Sequence, residues 1–260
     1  MITAGIDIGS VAAKAAVYDS EEKALLGWAV LPSGWNHREA FEKALGRALE
    51  QAKMPRSALA ALAGTGYGRV SLRQEMRVIS EITCHARGAH HFFPEASGVI
   101  DVGGQDSKAI RLDGQGQVAD FVMNDKCAAG TGRFVQMAAA LLGLDLENFF
   151  ELAREGAENG QTAPISSMCA VFAESEIISL LAQSLPPAGI AAGVLKSVAG
   201  RTSGMAARLG IGQTCVFTGG LAASEAMAAI LSETLGAAVR RPKLPQLTGA
   251  LGAAILAAEF

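Results

Sequence analysis

Two short stretches of this chain repeat one theme. Gly5-Ile-Asp-Ile-Gly-Ser10 and Ile100-Asp-Val-Gly-Gly104 each end an apolar strand with an aspartate and then glycine. A second strand follows each, Ala12–Tyr18 in the first case and Lys108–Leu112 in the second. Glycine lets backbone N–H groups approach a phosphate, and an aspartate beside it can hold a hydrated Mg2+. One Asp-x-Gly hairpin is weak evidence, because many ordinary hairpins carry it. Two in one chain are far less expected by chance. Facing one another, they can clamp the phosphates and metal of one nucleotide from both sides.

Around these hairpins the chain reads as alternating strands and helices. Residues 2–8, 12–18 and about 24–31 form a meander, and His37–Lys53 has helical apolar spacing. Ala58–Gly64 reads as a strand leading into a second glycine loop, Thr65-Gly-Tyr-Gly-Arg69, and residues 81–91 read as a helix. Lys108–Leu112 and Val118–Met123 complete a second meander. Cys215-Val-Phe-Thr-Gly-Gly220 is a strand ending in a glycine pair, where adenosine can lie against bare backbone. The closing helix from Thr248 carries a small-residue face, Gly249, Ala250, Gly252 and Ala253, suited to close packing.

Four cysteines, Cys84, Cys127, Cys169 and Cys215, are far apart and lack C-x2-C spacing. Cys127 lies in Asn124-Asp-Lys-Cys-Ala-Ala-Gly-Thr-Gly-Arg-Phe134, at or just ahead of a helix that Gly143 would stop. Cys169 also precedes a helix, which Ser166 or Ser167 would cap. Unpaired N–H groups and the helix dipole favour thiolate there, the form that binds metals. The plainer alternative is a small buried residue at a tight turn. Cys84, inside a helix pattern, and Cys215, in an apolar strand, read as buried. The histidines at 85 and 91 share no good face with Cys84 and read as structural or solvent-facing.

Half of the 260 residues are hydrophobic and the formal net charge is −3. Nothing here points to a nucleic-acid partner or a membrane surface. No apolar run is long enough to span a bilayer, and no targeting segment is recognisable at the N-terminus. A cytoplasmic location is expected, where structural disulfides are rare.

The order of motifs resembles the actin, Hsp70 and sugar-kinase ATPase fold, an α/β architecture of two RNase H-like subdomains around a nucleotide cleft. Asp101-Val-Gly-Gly-Gln-Asp106, the 124–134 loop and Cys169-x-Val-Phe-Ala-Glu-Ser-Glu176 together resemble the BadF/BadG/BcrA/BcrD ATPase family, and within it the activators of 2-hydroxyacyl-CoA dehydratases. The resemblance runs the full chain. It implies subdomain I at 1–95 with 247–260 packing back on it, and subdomain II at 96–246.

The resemblance further implies ATP/ADP and Mg2+, and a homodimer sharing one [4Fe-4S] cluster. Cys127 and Cys169 of each subunit would supply its ligands. Asp7 and Asp101 would orient the metal through water. Gly9, Ser10, Gly103, Gly104 and Lys14 would hold phosphates, and Gly219 and Gly220 would flank adenosine. Gln105 would orient the attacking water, with Asp101 or Asp106 as alternatives. Closure of the cleft would change the dimer angle. The reduced cluster would pass one electron to an iron-sulfur dehydratase or a related reductase, and a ferredoxin or flavodoxin would re-reduce it in an anaerobic setting. Val11 and Ala13 depart from the family's first loop, which carries hydroxyl residues there. Nucleotide affinity and hydrolysis rate are the properties this departure would touch. A small-molecule kinase of the same fold would need a base in a sugar-sized pocket, and it leaves both cysteines unexplained. A nucleotide-dependent sensor without electron transfer is the third reading.

Overall fold

The structure, a computed structural model, describes residues 1–72, 76–166, 169–212 and 214–260. In chain order the main elements are β1 (Ile2–Ile8), β2 (Ala12–Asp19), β3 (Ala24–Pro32), α1 (His37–Ala52), β4 (Ala61–Thr65), β5 (Arg77–Val78), α2 (Glu81–Phe92), β6 (Gly98–Val102), β7 (Ser107–Leu112) and β8 (Val118–Asn124). The second half continues with α3 (Gly132–Leu141), α4 (Leu146–Glu158), α5 (Ala170–Ala182), α6 (Pro187–Arg208), β9 (Thr214–Gly219), α7 (Glu225–Leu235), β10 (Ala238–Arg240) and α8 (Thr248–Ala257). The strands form two five-stranded sheets, ordered β3-β2-β1-β4-β5 and β10-β9-β6-β7-β8. The chain divides into two compact units. One holds 1–99, 112–119 and 242–260, and the other holds 100–111 and 120–241.

In the first unit, side-chain alternation along β1 assigns its two faces. Ala4, Ile6 and Ile8 join Phe41, Ala44, Leu45 and Ala48 of α1 in one apolar core. Thr3, Gly5 and Asp7 face the other way, toward α8. The Thr3 hydroxyl donates to the Ala254 carbonyl at 2.7 Å. Gly5 lies flush on the α8 backbone, where any Cβ would strike the Ala250 carbonyl and the Ala254 amide. Both faces of β1 are covered, so its polar residues Thr3 and Asp7 are buried along with its apolar ones. Gly252 of α8 meets the Cys84 carbonyl of α2 just as closely, and Gly88 of α2 meets Thr248. The small-residue face expected on the last helix is therefore what brings α8 against both β1 and α2.

The second unit is built around Ile100 and Val102 of β6, Phe217 of β9, Phe134 and Val135 of α3, Phe149 of α4, and Ile190, Val194 and Val198 of α6. Local chemistry sets the helix ends. Asp145 accepts the Asn148 N–H at the start of α4, and Ser224 accepts that of Met227 at the start of α7. Gly143, at φ 70°, lets Leu144 N–H reach back to the Ala139 carbonyl and stops α3.

Boundaries differ from the expected ones at two places that matter. The strand expected from Ala58 begins at Ala61, because Arg56–Ala58 forms a 3-10 turn. The helix after Cys127 is broken as well. Ala128–Gly130 forms a 3-10 turn, and α3 starts only after Thr131.

Two glycine substitutions are expected to act with opposite sign. Gly252→Ala should cost about 1–3 kcal/mol or block folding, since the neighbours it meets are backbone atoms. Gly204→Ala, in the exposed interior of α6 with nothing within 4 Å, should stabilise by about 0.5–1 kcal/mol. Urea denaturation of both variants checks this.

Candidate functional site

The β1–β2 hairpin sets Asp7 directly opposite Lys14, and the ammonium sits 3.0 Å from Asp7 Oδ2. Gly9 N–H closes the turn on the Ala12 carbonyl at 3.0 Å, and the Ser33 hydroxyl braces the Gly9 carbonyl at 2.6 Å. A Cβ on Gly9 would lie 2.9 Å from Lys14 Nζ. Lys14 therefore stands against the turn as well as against Asp7. Ser10 is half-buried at the same turn. Of the two departures in this loop, Ala13 belongs to the apolar core and Val11 is exposed.

Two glycines wall the Asp7 carboxylate. Gly66, at φ 86°, leaves no room for a Cβ beside Asp7 Oδ1. A methyl on Gly249 would sit 3.2 Å from Asp7 Oδ2 and 2.9 Å from Nε2 of buried His85. Asp7 Oδ1 is buried and has no hydrogen-bond partner among the described residues. Such an oxygen is costly unless a water, a donor or a cation reaches it. The orphan carboxylate oxygen suits a hydrated divalent cation.

The β6–β7 hairpin of the second unit is built alike but filled differently. Asp101 Oδ1 accepts the Thr218 hydroxyl at 2.8 Å, and Lys108 Nζ is 3.3 Å from Asp101 Oδ2. The same ammonium is 2.9 Å from Asp106 Oδ2. Gly103 N–H donates to the Asp106 carbonyl at 2.9 Å. Gln105 is exposed at the tip of the turn. Gly219, at φ 89°, passes so close to β6 that a Cβ would collide with the Val102 carbonyl. That approach, which needs glycine twice over, aligns Thr218 with Asp101. Gly220 then opens the 3-10 turn Leu221–Ala223.

This glycine loop also starts the helix beyond Cys127. Gly132 N–H donates to the Gly103 carbonyl at 2.8 Å, and Arg133 N–H to the Gly104 carbonyl at 2.9 Å. The first N–H groups of α3, which lack intrahelical partners, are thus satisfied by the loop that carries Asp101. Asn124 fastens the preceding turn. Its Oδ1 accepts the Cys127 N–H at 3.2 Å, and its Nδ2 donates to the Cys127 carbonyl at 2.9 Å.

Cys127 and Cys169 are half-buried, whereas Cys84 and Cys215 are fully buried. Cys169 is the N-cap residue of α5, with no side-chain cap. The N-cap position falls to Cys169 and not to Ser166, whose N–H donates to Glu176 at 2.6 Å, and Ser167 lies outside the described residues. Helix α5 packs on α3 and on the Ala128–Gly130 turn, so the two cysteine-bearing segments are neighbours. Two accessible thiols at neighbouring helix starts are half of what a cubane cluster requires. Burial pushes the Cys84 and Cys215 thiols from 9.0 up to about 12. They stay protonated and are poor ligands.

Sequence reasoning placed the acids, glycines and cysteines but passed over Lys108, Thr218 and the Asp7 side of His85. For Lys108 a signal was present, since Asp-to-Lys spacing is seven residues in both hairpins.

These features define an actin- and sugar-kinase-like ATPase fold carrying a pair of accessible thiols. A family model described as the BadF/BadG/BcrA/BcrD ATPase family matches residues 4–257. An activator of lactoyl-CoA dehydratase from Anaerotignum propionicum is 41% identical over 259 residues, covering 100% of this chain and 98% of that protein. The crystal structure of (R)-2-hydroxyglutaryl-CoA dehydratase component A from Acidaminococcus fermentans superposes with TM-score 0.93 at 39% identity, covering 100% of this chain and 98% of that one. An activator of 2-hydroxyisocaproyl-CoA dehydratase from Clostridium difficile, with bound ADPNP, does so with TM-score 0.89 at 36% identity, covering 100% and 95%. A ROK family glucokinase from Streptomyces griseus, 17% identical with TM-score 0.60, shares the fold alone. The chain belongs to the BadF/BadG/BcrA/BcrD ATPase family. None of its described helices is long and apolar enough to cross a membrane.

In folded, metal-free protein at pH 8, iodoacetamide should label Cys127 and Cys169 and spare Cys84 and Cys215 until the chain unfolds, as peptide mapping would read. The buried thiols also carry a pH signature. Each keeps its proton more tightly folded than unfolded, so stability holds below pH 9.0 and falls as pH rises toward about 12. The slope approaches about 1.4 kcal/mol per pH unit for each thiol. Cys215→Ala should flatten the alkaline limb of a urea-midpoint profile by one such contribution.

Proposed function

We propose that this chain is an ATP-hydrolysing activator of a 2-hydroxyacyl-CoA dehydratase or a related CoA-ester reductase. It delivers one electron from a [4Fe-4S] cluster held between two copies by Cys127 and Cys169 of each. The observation that carries this is the pair of half-buried thiols on neighbouring segments, the Cys127 segment running into α3, whose first N–H groups are bonded to the Gly103–Gly104 carbonyls. Two thiols per chain make a complete set of four only when a second copy contributes its own, as twofold symmetry allows. Beside Cys169, helix α5 exposes Val171, Phe172 and Ile178 at 68%, 68% and 52%. Apolar exposure of that size suits coverage by the second copy.

The protein's own residues divide the work. In the first unit, Gly9 closes the turn at which it and Ser10 would meet phosphate oxygens, and Asp7 Oδ1 would accept a water of the Mg2+ shell. Lys14 is held on Asp7, within reach of the same turn. In the second, Gly103 closes the turn on Asp106 so that the loop's Gly104 N–H would meet phosphate, Asp101 is fixed by Thr218 and Lys108, and Gly219 and Gly220 would flank adenosine. Exposed Gln105 orients the attacking water. When bound, the cluster supplies the one-electron chemistry. A shift of the Gly103–Gly104 peptides on nucleotide binding passes to α3 through its first two N–H groups, and so to the Cys127 turn. A ferredoxin or flavodoxin would serve as the reductant.

The test is activation of a 2-hydroxyacyl-CoA dehydratase by protein purified without oxygen and supplied with reductant and ATP. Cys127→Ala and Cys169→Ala should each abolish activation and remove iron while leaving ATP binding within a few-fold. Retained iron in both variants would sink the cluster assignment. Gln105→Ala should lower kcat for hydrolysis about 10²-fold with little change in ATP affinity.

A further inference from the structure

The two halves of the hairpin repeat treat their aspartates differently. In both, a lysine seven residues on returns across the hairpin to the acid, at 3.0 Å for Lys14 and Asp7 and 3.3 Å for Lys108 and Asp101. In the first hairpin one carboxylate oxygen, Asp7 Oδ1, has no hydrogen-bond partner among the described residues. In the second, both oxygens of Asp101 are engaged, one by Thr218 and one by Lys108. Lys108 also reaches Asp106 at 2.9 Å, and its side chain is only 1% exposed. One buried ammonium therefore stands between two carboxylates.

Two carboxylates within the span of one ammonium are also a set of hard oxygen ligands for a small divalent ion. A buried ammonium is costly to desolvate and is tolerated here because it offsets two negative charges. We propose that Lys108 is an internal counter-cation, which keeps free divalent metal out of the Asp101–Asp106 pair and leaves Asp7 as the carboxylate open to a hydrated ion. Free metal then does not occupy the Asp101–Asp106 pair ahead of nucleotide. Lys108 is in this sense a positioning residue: it fixes the two acids and denies them to a competing ion. The proposal rests on the nucleotide-and-metal reading above and is independent of the cluster.

The test uses Mn2+ alone, titrated into full-length cluster-free protein without nucleotide and followed by the loss of the free-ion EPR signal. Wild type should show no uptake that depends on Asp106. Lys108→Met should gain one Mn2+ per chain, bound at least about tenfold more tightly than any site in wild type. The added substitution Asp106→Asn should abolish that gain. A purely structural lysine would lower stability without creating a cation site. If Lys108→Met does not fold, Lys108→Gln is read in the same way. A folded Lys108 variant that gains no Mn2+ overturns the proposal. So does wild type that takes up Mn2+ without nucleotide and loses it in Asp106→Asn. Failure to bind Mn2+·ATP in wild type would instead sink the underlying nucleotide reading, and absence of iron would sink only the electron-transfer reading.

Discussion

The hydrogen bonds from Gly132 and Arg133 N–H to the carbonyls of Gly103 and Gly104 join two kinds of chemistry in one unit. The loop's remaining N–H groups are of the kind that meets phosphate, while its carbonyls supply what the start of α3 lacks. Neither peptide can turn without costing α3 an early hydrogen bond. The Cys127 turn is bound into the same piece of structure, because Asn124 holds both the amide and the carbonyl of Cys127. A change at the glycine loop thus has a short covalent and hydrogen-bonded path to the thiol.

Close backbone approach is the price of building such loops from strands covered on both faces. Gly5, Gly88, Gly249 and Gly252 let α8 settle against β1 and α2. Gly66 and Gly219 take left-handed conformations beside Asp7 and Val102. A core assembled this way has little slack around Asp7 and His85, which Gly66 and Gly249 wall closely.

Much of this was legible in the sequence because it is local. Each Asp-x-Gly hairpin lies within a dozen residues, and Asn124 and Cys127 sit in one loop. The glycine stop at Gly143 and the small-residue face of α8 are likewise written in short stretches. What escaped depends on partners distant in sequence or on register. Thr218 reaches Asp101 across 117 residues. Gly249 joins the wall of Asp7 only after α8 has folded back. Cross-strand pairing places Lys14 and Lys108 against acids, whereas reading along the chain made Lys14 a plain phosphate ligand and gave Lys108 no role. The 3-10 turn after Cys127 was also hidden, because Ala-Ala-Gly-Thr-Gly is compatible with either a helix start or a tight turn.

The central claim is that one cluster completes two copies of this chain through Cys127 and Cys169. Native mass spectrometry of protein kept free of oxygen weighs that assembly directly. The account predicts a species of two chains plus a single [4Fe-4S] cluster, which separates into cluster-free single chains when iron is chelated. A single chain retaining a whole cluster, or a dimer whose mass includes no iron and sulfide, would contradict it.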